Sequence, residues 1–259
     1  MGEQIRKLLR RAGFEVYRTS IHTSAAAQLA RIIQRAGIDL VLDIGANAGQ
    51  YASELRDHGY RGRIVSFEPL SSAHARLAAS AQGDEKRQVA PRMALGDAEG
   101  QISIHIANNS LSSSVLDMLP EHERAAPGSG FVGSETVPLR RLDRVAPDYL
   151  EGAKAVLLKI DTQGYEDRVL AGAAGVIDRI TAVQTEMSLV PLYAGQPLFD
   201  DMRVKIESMG FELFAIFPGY VHEITGRTLQ VDGLFLRPDN KMNKSAGLLI
   251  KTDGALAGE

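Results

Sequence analysis

At 259 residues, 44% hydrophobic and 24% charged, the chain is long enough for one well-buried α/β domain with additions and short for two, and its composition excludes a disordered polymer. The net charge of −3 lacks the basic footprint of a nucleic-acid binder, and the absence of cysteine excludes disulfides, thiolate zinc sites and cysteine nucleophiles. No apolar run reaches the roughly 18 residues of a spanning helix and residues 1–20 lack the apolar core of a secretory signal, so a cytoplasmic protein without integral membrane contact is expected.

In chain order, residues 3–36 read as helical, with Leu8, Leu9, Phe14, Val16, Ala26, Leu29, Ile32 and Ile33 near helical spacing and Gly37 as a C-cap. Within them Arg6, Lys7, Arg10 and Arg11 read as a solvated face, with an anionic lipid or phosphorylated substrate as the alternative contact. Leu40–Leu42 is a buried strand closing at Asp43. A helix follows over Gly49–His58, then a strand over Arg63–Phe67, a helix over Ser72–Ala81 and a third strand over Val89–Leu95. Ile102–Ile106 alternates with period two, as a half-exposed strand does. Residues 107–134 are rich in Ser, Pro, Gly and Asn and read as mostly loop. Arg140–Asp143 reads as a helix start, with Asp143 as N-cap. Strands over Lys154–Ile160 and Ile180–Glu186 frame a helix over Tyr165–Ala173, and a helix over Phe199–Met209 precedes two final strands, Phe211–Phe217 and Leu229–Leu236.

This alternation predicts a Rossmann-like doubly wound α/β sheet, mostly parallel with an antiparallel edge hairpin, plus N-terminal helices. The expected divisions are a helical segment over 1–37, a catalytic domain over 38–238 and a weakly ordered tail over 239–259.

Ligands bind beyond the carboxyl ends of such strands. There the sequence places acids in succession: Asp43, Glu68, Asp161 and Glu186, with Asp97 close behind the third strand. The sharpest segment runs Asp43-Ile44-Gly45-Ala46-Asn47-Ala48-Gly49-Gln50-Tyr51. Its glycines permit a tight strand-to-helix turn and close backbone approach to a ligand. The middle glycine of Gly-x-Gly-x-x-Gly is missing and an acid precedes the turn, which suits a cationic or zwitterionic ligand such as S-adenosylmethionine better than a pyrophosphate. Glu68 is placed to accept both ribose hydroxyls of an adenosine nucleoside. Asp97, in Ala94-Leu95-Gly96-Asp97, reads equally as a partner of the adenine amine and as a turn residue.

The segments Asp43–Gly49, Ser66-Phe67-Glu68-Pro69, Ala94–Asp97, Lys159-Ile160-Asp161-Thr162-Gln163-Gly164-Tyr165-Glu166, Gln184-Thr185-Glu186 and Val231-Asp232-Gly233-Leu234-Phe235 together resemble the FkbM-type methyltransferases from about residue 39 to 236. The resemblance implies S-adenosylmethionine-dependent methylation of oxygen on sugars, polyketides or glycolipids. By motif it implies cofactor binding by Asp43, Gly45, Asn47, Gly49 and Glu68, with Asp161 and Glu186 facing the acceptor; Tyr51, Pro69, Asp97 and Asp161 are further candidates for cofactor contact. The chain departs from many relatives in carrying Thr162-Gln163 where a second acid precedes the glycine.

A sugar hydroxyl needs a base. Asp161 is the first candidate, oriented by Lys159 or Glu186, and His222 is the second. His58, His74, His105 and His122 are given no role. Asp161 and Glu186 suit magnesium as hard ligands, but two carboxylates make a thin site, and magnesium is the weaker alternative. Asn108–Ser114 reads as a substrate lid or a solvated turn. The acceptor expected is a small molecule or a lipid-linked sugar, with a homodimer contact as one use of the N-terminal helices. Two other readings remain. A nicotinamide-dependent oxidoreductase is opposed by the missing glycine and the lack of a Tyr-x-x-x-Lys pair. A non-catalytic nucleoside-binding module is opposed by the acceptor-side acids.

Overall fold

The computed structural model describes residues 3–238; the tail expected from Asp239 lies outside them. Helices α1 (Glu3–Arg11) and α2 (Ala25–Ala36) come first. The helical stretch expected over 3–36 forms as these two helices, with a non-helical connection between Arg11 and Ala25. Gly13 takes a left-handed φ of 84° just past α1, and the hydroxyls of Ser20 and Thr23 bind one another and local backbone instead of a helical ladder. Ser24 then restarts the helix as N-cap, accepting from the Ala27 amide, and Gly37 ends it in the left-handed region as anticipated.

The chain continues as β1 (Leu40–Ile44), α3 (Gln50–Asp57), β2 (Arg63–Phe67), α4 (Ser71–Ser80) and β3 (Arg87–Val89). Next come β4 (Ala94–Gly96), β5 (Gly100–Ala107), α5 (Pro120–Ala125) and β6 (Phe131–Arg141), then α6 (Leu142–Val145), α7 (Pro147–Leu150) and β7 (Val156–Ile160). Last are α8 (Glu166–Gly172), β8 (Ile180–Ser188), α9 (Phe199–Ser208), β9 (Glu212–Pro218) and β10 (Gln230–Leu236).

Seven strands form the main sheet in the order β3-β2-β1-β7-β8-β10-β9. Only β10 runs against its neighbours, inserted between β8 and the edge strand β9. The anticipated hairpin is thus present with its second strand turned inward. Both faces are covered. On one, Leu40, Leu42, Ile44, Leu158 and Ile160 pack against α6, α7, α8 and α9. On the other, Val41, Ile64 and Leu157 pack against Leu29, Ile32 and Ile33 of α2 and Ala52 and Leu55 of α3. This two-sided burial explains why the central strands read as unbroken apolar runs.

Two expectations are corrected here. The third strand does not run over Val89–Leu95: it stops at Val89, Pro91 offers no amide to a ladder, and Ala94–Gly96 belongs to a second, three-stranded sheet ordered β4-β6-β5. Nor is 107–134 mostly loop, because α5 forms within it and β6 begins at Phe131 to pair with β5 along its length. Arg141, not Asp143, caps α6; the Asp143 carboxylate instead accepts from the Arg141 guanidinium and from the Gly175 amide.

Candidate active site

The site sits where strand order reverses, between β1 and β7, at the carboxyl ends of the strands. Gly45 leaves β1 at φ 78°, and a Cβ there would overlap the Asp161 carbonyl. Asn47 follows at φ 46°, a value that asparagine tolerates better than most residues. Its amide donates to Glu68 Oε2 at 2.8 Å, and the Leu70 amide donates to Glu68 Oε1 at 2.9 Å. Burial pushes the Glu68 pKa up, while these two amides pull it back. Each oxygen keeps a further lone pair for a ligand hydroxyl.

Gly45→Ala is expected to cost about 2–4 kcal/mol through a strained φ and displacement of the β7 exit. Thermal melting checks this, and an unchanged Tm would mean that the turn relaxes freely.

A polar row crosses four strands beneath this turn, with Ser66, Asp43, Lys159 and Gln184 in register on β2, β1, β7 and β8. Asp43 is fully buried, with Oδ1 3.2 Å from Lys159 Nζ and Oδ2 accepting from Ser66 at 3.3 Å. The ammonium also lies 3.7 Å from Asp161 Oδ2 and 5.2 Å from the Tyr51 ring centroid. The Tyr51 hydroxyl donates to Gln184 Oε1 at 2.7 Å. Burial works against the Lys159 charge, but Asp43 and then Asp161 more than offset it and hold its pKa above the usual range.

A cavity of about 310 Å³ opens over the row. Gly45, Asn47, Tyr51, Glu68, Pro69 and Asp161 line it, as do Lys159 and Gln163. Leu70, Met93, Leu95 and Ile104 form an apolar wall. A second cavity shares Gln50, Tyr51, Lys159 and Asp161 with the first and adds Glu54, Gln184 and Asp232.

Several expected residues lie elsewhere. Asp43 lines neither cavity, because Lys159 stands over it. Gly49 is outside too and caps α3 at φ 89°. Asp97 follows β4 of the second sheet, lines neither cavity and accepts from Arg168 at 2.9 Å; Met93, Ala94 and Leu95 before it do line the first cavity. His222 sits in the β9–β10 connection, its Nδ1 facing the Ile224 amide, and touches neither cavity.

Glu186 lines neither cavity but is tied to Asp161 by one residue. Gln163, at φ 56°, donates through Nε2 to Asp161 Oδ1 at 2.8 Å and to Glu186 Oε2 at 2.9 Å. Gln230 adds a bond to the same Glu186 oxygen at 2.6 Å. The other side of the Gln163 amide, Oε1, accepts from the Tyr193 hydroxyl at 3.1 Å. Tyr193 in turn meets the Ser112 carbonyl at 3.0 Å and His122 Nε2 at 3.2 Å. His122, given no role from sequence, is therefore a buried member of this network, with its pKa pushed down by burial. Burial raises the pKa of Glu186 well above the carboxylate range, helped by the Asp161 charge. Burial likewise raises Asp232 to about 6.

The segment after β5 closes over the cavity. Ser110, Leu111, Ser113, Ser114 and Val115 line it. Asn47 Nδ2 bonds the Ser110 carbonyl at 3.1 Å, and Ser114 Oγ donates to the Gln163 carbonyl at 2.7 Å. Ser112 and Ser114 are buried, so the stretch read as a lid or a solvated turn is a latched cover.

Glu166 shapes the β7–α8 turn by accepting from the amides of Thr162 at 2.8 Å and Gly164 at 3.0 Å. Burial raises its pKa from 4.5 to about 7. A raised carboxyl pKa stabilises the fold below the unfolded value and loses that contribution as pH rises through the folded one. The stability of wild type relative to Glu166→Gln is therefore expected to fall between pH 4.5 and about 7. Parallel melts across that range check it, and a constant difference would refute the assignment.

The chain matches the model of the methyltransferase FkbM domain over residues 43–213. It belongs to the FkbM methyltransferase family. It is 29% identical over 188 residues to the 2-O-methyltransferase NoeI of Sinorhizobium fredii (strain NBRC 101917 / NGR234), spanning 69% of this chain and 74% of that protein. Among solved structures, magnesium protoporphyrin IX methyltransferase from Synechocystis PCC 6803 with bound SAM is similar at 11% identity and a TM-score of 0.44, over 90% of this chain and 95% of that one. TehB from Haemophilus influenzae is similar at 10% identity and a TM-score of 0.45, over 82% and 61%. Membership of the methyltransferase family decides against the oxidoreductase reading.

The residues of this FkbM methyltransferase fit S-adenosylmethionine. A Cβ at position 45 would overlap the Asp161 carbonyl, Glu68 keeps acceptor capacity in a cavity with an apolar wall, and Lys159 and Asp161 add opposite charges to the same lining. They do not fit a divalent cation. The Gln163 amide donates into the space between Asp161 and Glu186, and no group of three or more His, Asp or Glu able to hold a metal occurs among the described residues.

Proposed function

We propose that the protein is an S-adenosylmethionine-dependent O-methyltransferase acting on a hydroxyl of a small molecule, most directly a sugar or glycoside, on the cytoplasmic side. The observation that carries this reading is one cavity lined by Glu68, Asp161 and the Gly45 turn together with an apolar wall. The name of the relative NoeI, a 2-O-methyltransferase, supports oxygen as the acceptor atom.

When bound, S-adenosylmethionine supplies an electrophilic methyl group on a sulfonium. Glu68 would hold the ribose hydroxyls, and Leu70, Met93, Leu95 and Ile104 would face the adenine. Lys159 would pair with the carboxylate of the methionine end. Asp161 stands where the two cavities meet and would take the proton of the acceptor hydroxyl. Gln163 holds that carboxylate in place, and Tyr193 fixes the orientation of the Gln163 amide. Holding both reactants in line supplies much of the acceleration. Closure by the Ser110–Val115 cover would exclude water.

Incubation with methyl-labelled S-adenosylmethionine and a panel of glycosides tests the reading. A labelled methyl ether is the expected product. Label on nitrogen or carbon acceptors alone would overturn oxygen specificity.

A further inference from the structure

Helix α1 buries no residue of its own. At about 100° per residue, Ile5, Leu8 and Leu9 share one arc of roughly a quarter turn, and Arg6, Lys7, Arg10 and Arg11 take the opposite side. Ile5 is 52% and Leu8 68% exposed, and the chain beyond α1 exposes Phe14, Val16, Tyr17 and Ile21. Six of the fourteen exposed large hydrophobic residues of the described chain thus fall within residues 5–21. Single exposed hydrophobics need no explanation, but a contiguous group does.

Charge decides what covers this face. The stretch carries Arg6, Lys7, Arg10, Arg11 and Arg18 against Glu3 and Glu15, in a chain whose net charge is −3. Among the described residues, only Arg10 of the four α1 cations has an acid within ion-pair distance, Glu15 at 3.2 Å. A two-fold contact through the apolar arc would cover it but leave Arg6, Lys7 and Arg11, on the opposite side, without an anionic partner. A nucleic acid would match the cations and leave the apolar arc in water. An anionic bilayer surface matches both halves, phosphates to the cations and the acyl boundary to the apolar arc. No described helix is long and apolar enough to cross a membrane, so the contact would be peripheral.

We propose that α1 and the chain behind it, through Ile21, dock the protein on anionic phospholipid surfaces. The surface is separate from the cavity and stands whether or not the acceptor is itself a lipid.

Co-sedimentation of the full chain with vesicles tests this. One set is phosphatidylcholine alone; the other is phosphatidylcholine mixed equally with phosphatidylglycerol. Binding to the mixed vesicles is expected to be at least about tenfold stronger and to weaken with added salt. Arg6→Glu/Arg10→Glu and, separately, Leu8→Ser are each expected to lower it by about tenfold with Tm unchanged, because these side chains contact little of the fold. Equal binding to both vesicle types, no binding to either, or indifference to both variants would overturn the proposal. So would a dimer in sedimentation velocity that Leu8→Ser dissociates, since it would assign the face to a second copy.

Discussion

Lys159→Met is expected to destabilise the protein by about 3–5 kcal/mol, because it leaves a buried carboxylate without its counter-charge. Asp43 is inaccessible to solvent, and Lys159 is the only cation within ion-pair distance of it among the described residues. Ser66 Oγ, at 3.3 Å, is a weak substitute. For a domain of this size each kcal/mol lowers Tm by about 2–4 °C. The double variant Asp43→Asn/Lys159→Met removes both charges at matched volume and is expected to recover most of the loss. Equal melting of the single and double variants would show that packing of the lysine stem, not charge pairing, sets the cost.

Asp161→Asn is expected to lower turnover by about 10²–10⁴-fold, the usual contribution of a general base. The fold should survive, since the asparagine carbonyl can still accept from Gln163 Nε2, which lies 2.8 Å from Asp161 Oδ1. Binding of S-adenosylhomocysteine should change far less than turnover. Glu186→Gln should have a smaller effect, because Glu186 reaches the cavities only through Gln163. Single-turnover kinetics with melting controls separate these outcomes. Near wild-type turnover in a folded Asp161→Asn variant would remove Asp161 as the base.

The main sheet was legible because its signals are local. Leu40–Leu42, Val156–Ile160 and their relatives are buried on both faces, so each is a short apolar run with a turn residue or acid at its exit. The helix break at Gly13 and the strand break at Pro91 turn on single residues inside otherwise suitable patterns, and a period-based reading runs through both. Strand β6 was missed because its Ser, Gly and Pro content mimics a loop and its stability comes from pairing with β5.

At the site, the exits of β2 and β7 place Glu68 and Asp161 in the lining of one cavity, as strand-end positions suggest. Strand-end position does not reveal that Asp43 faces Lys159, since that depends on strand register. Asp97 lies outside both cavities because β4 belongs to the second sheet, whose pairing with β6 is non-local. The contacts of Tyr193 with Gln163 and His122 span 30 and 71 residues of sequence, and no local pattern encodes them. Gln163 left a trace, as the departure from the family motif, and its geometry gives that departure a meaning: one carboxamide joins two acids and a tyrosine.

The most direct test of the account is calorimetric titration with S-adenosylhomocysteine on wild type and on Glu68→Gln, with NAD as control. The account predicts binding of S-adenosylhomocysteine, weakened by about tenfold or more in the variant through loss of a charged hydrogen-bond acceptor, and no NAD binding. Absence of S-adenosylhomocysteine binding, equal affinity in the variant or a preference for NAD would contradict it.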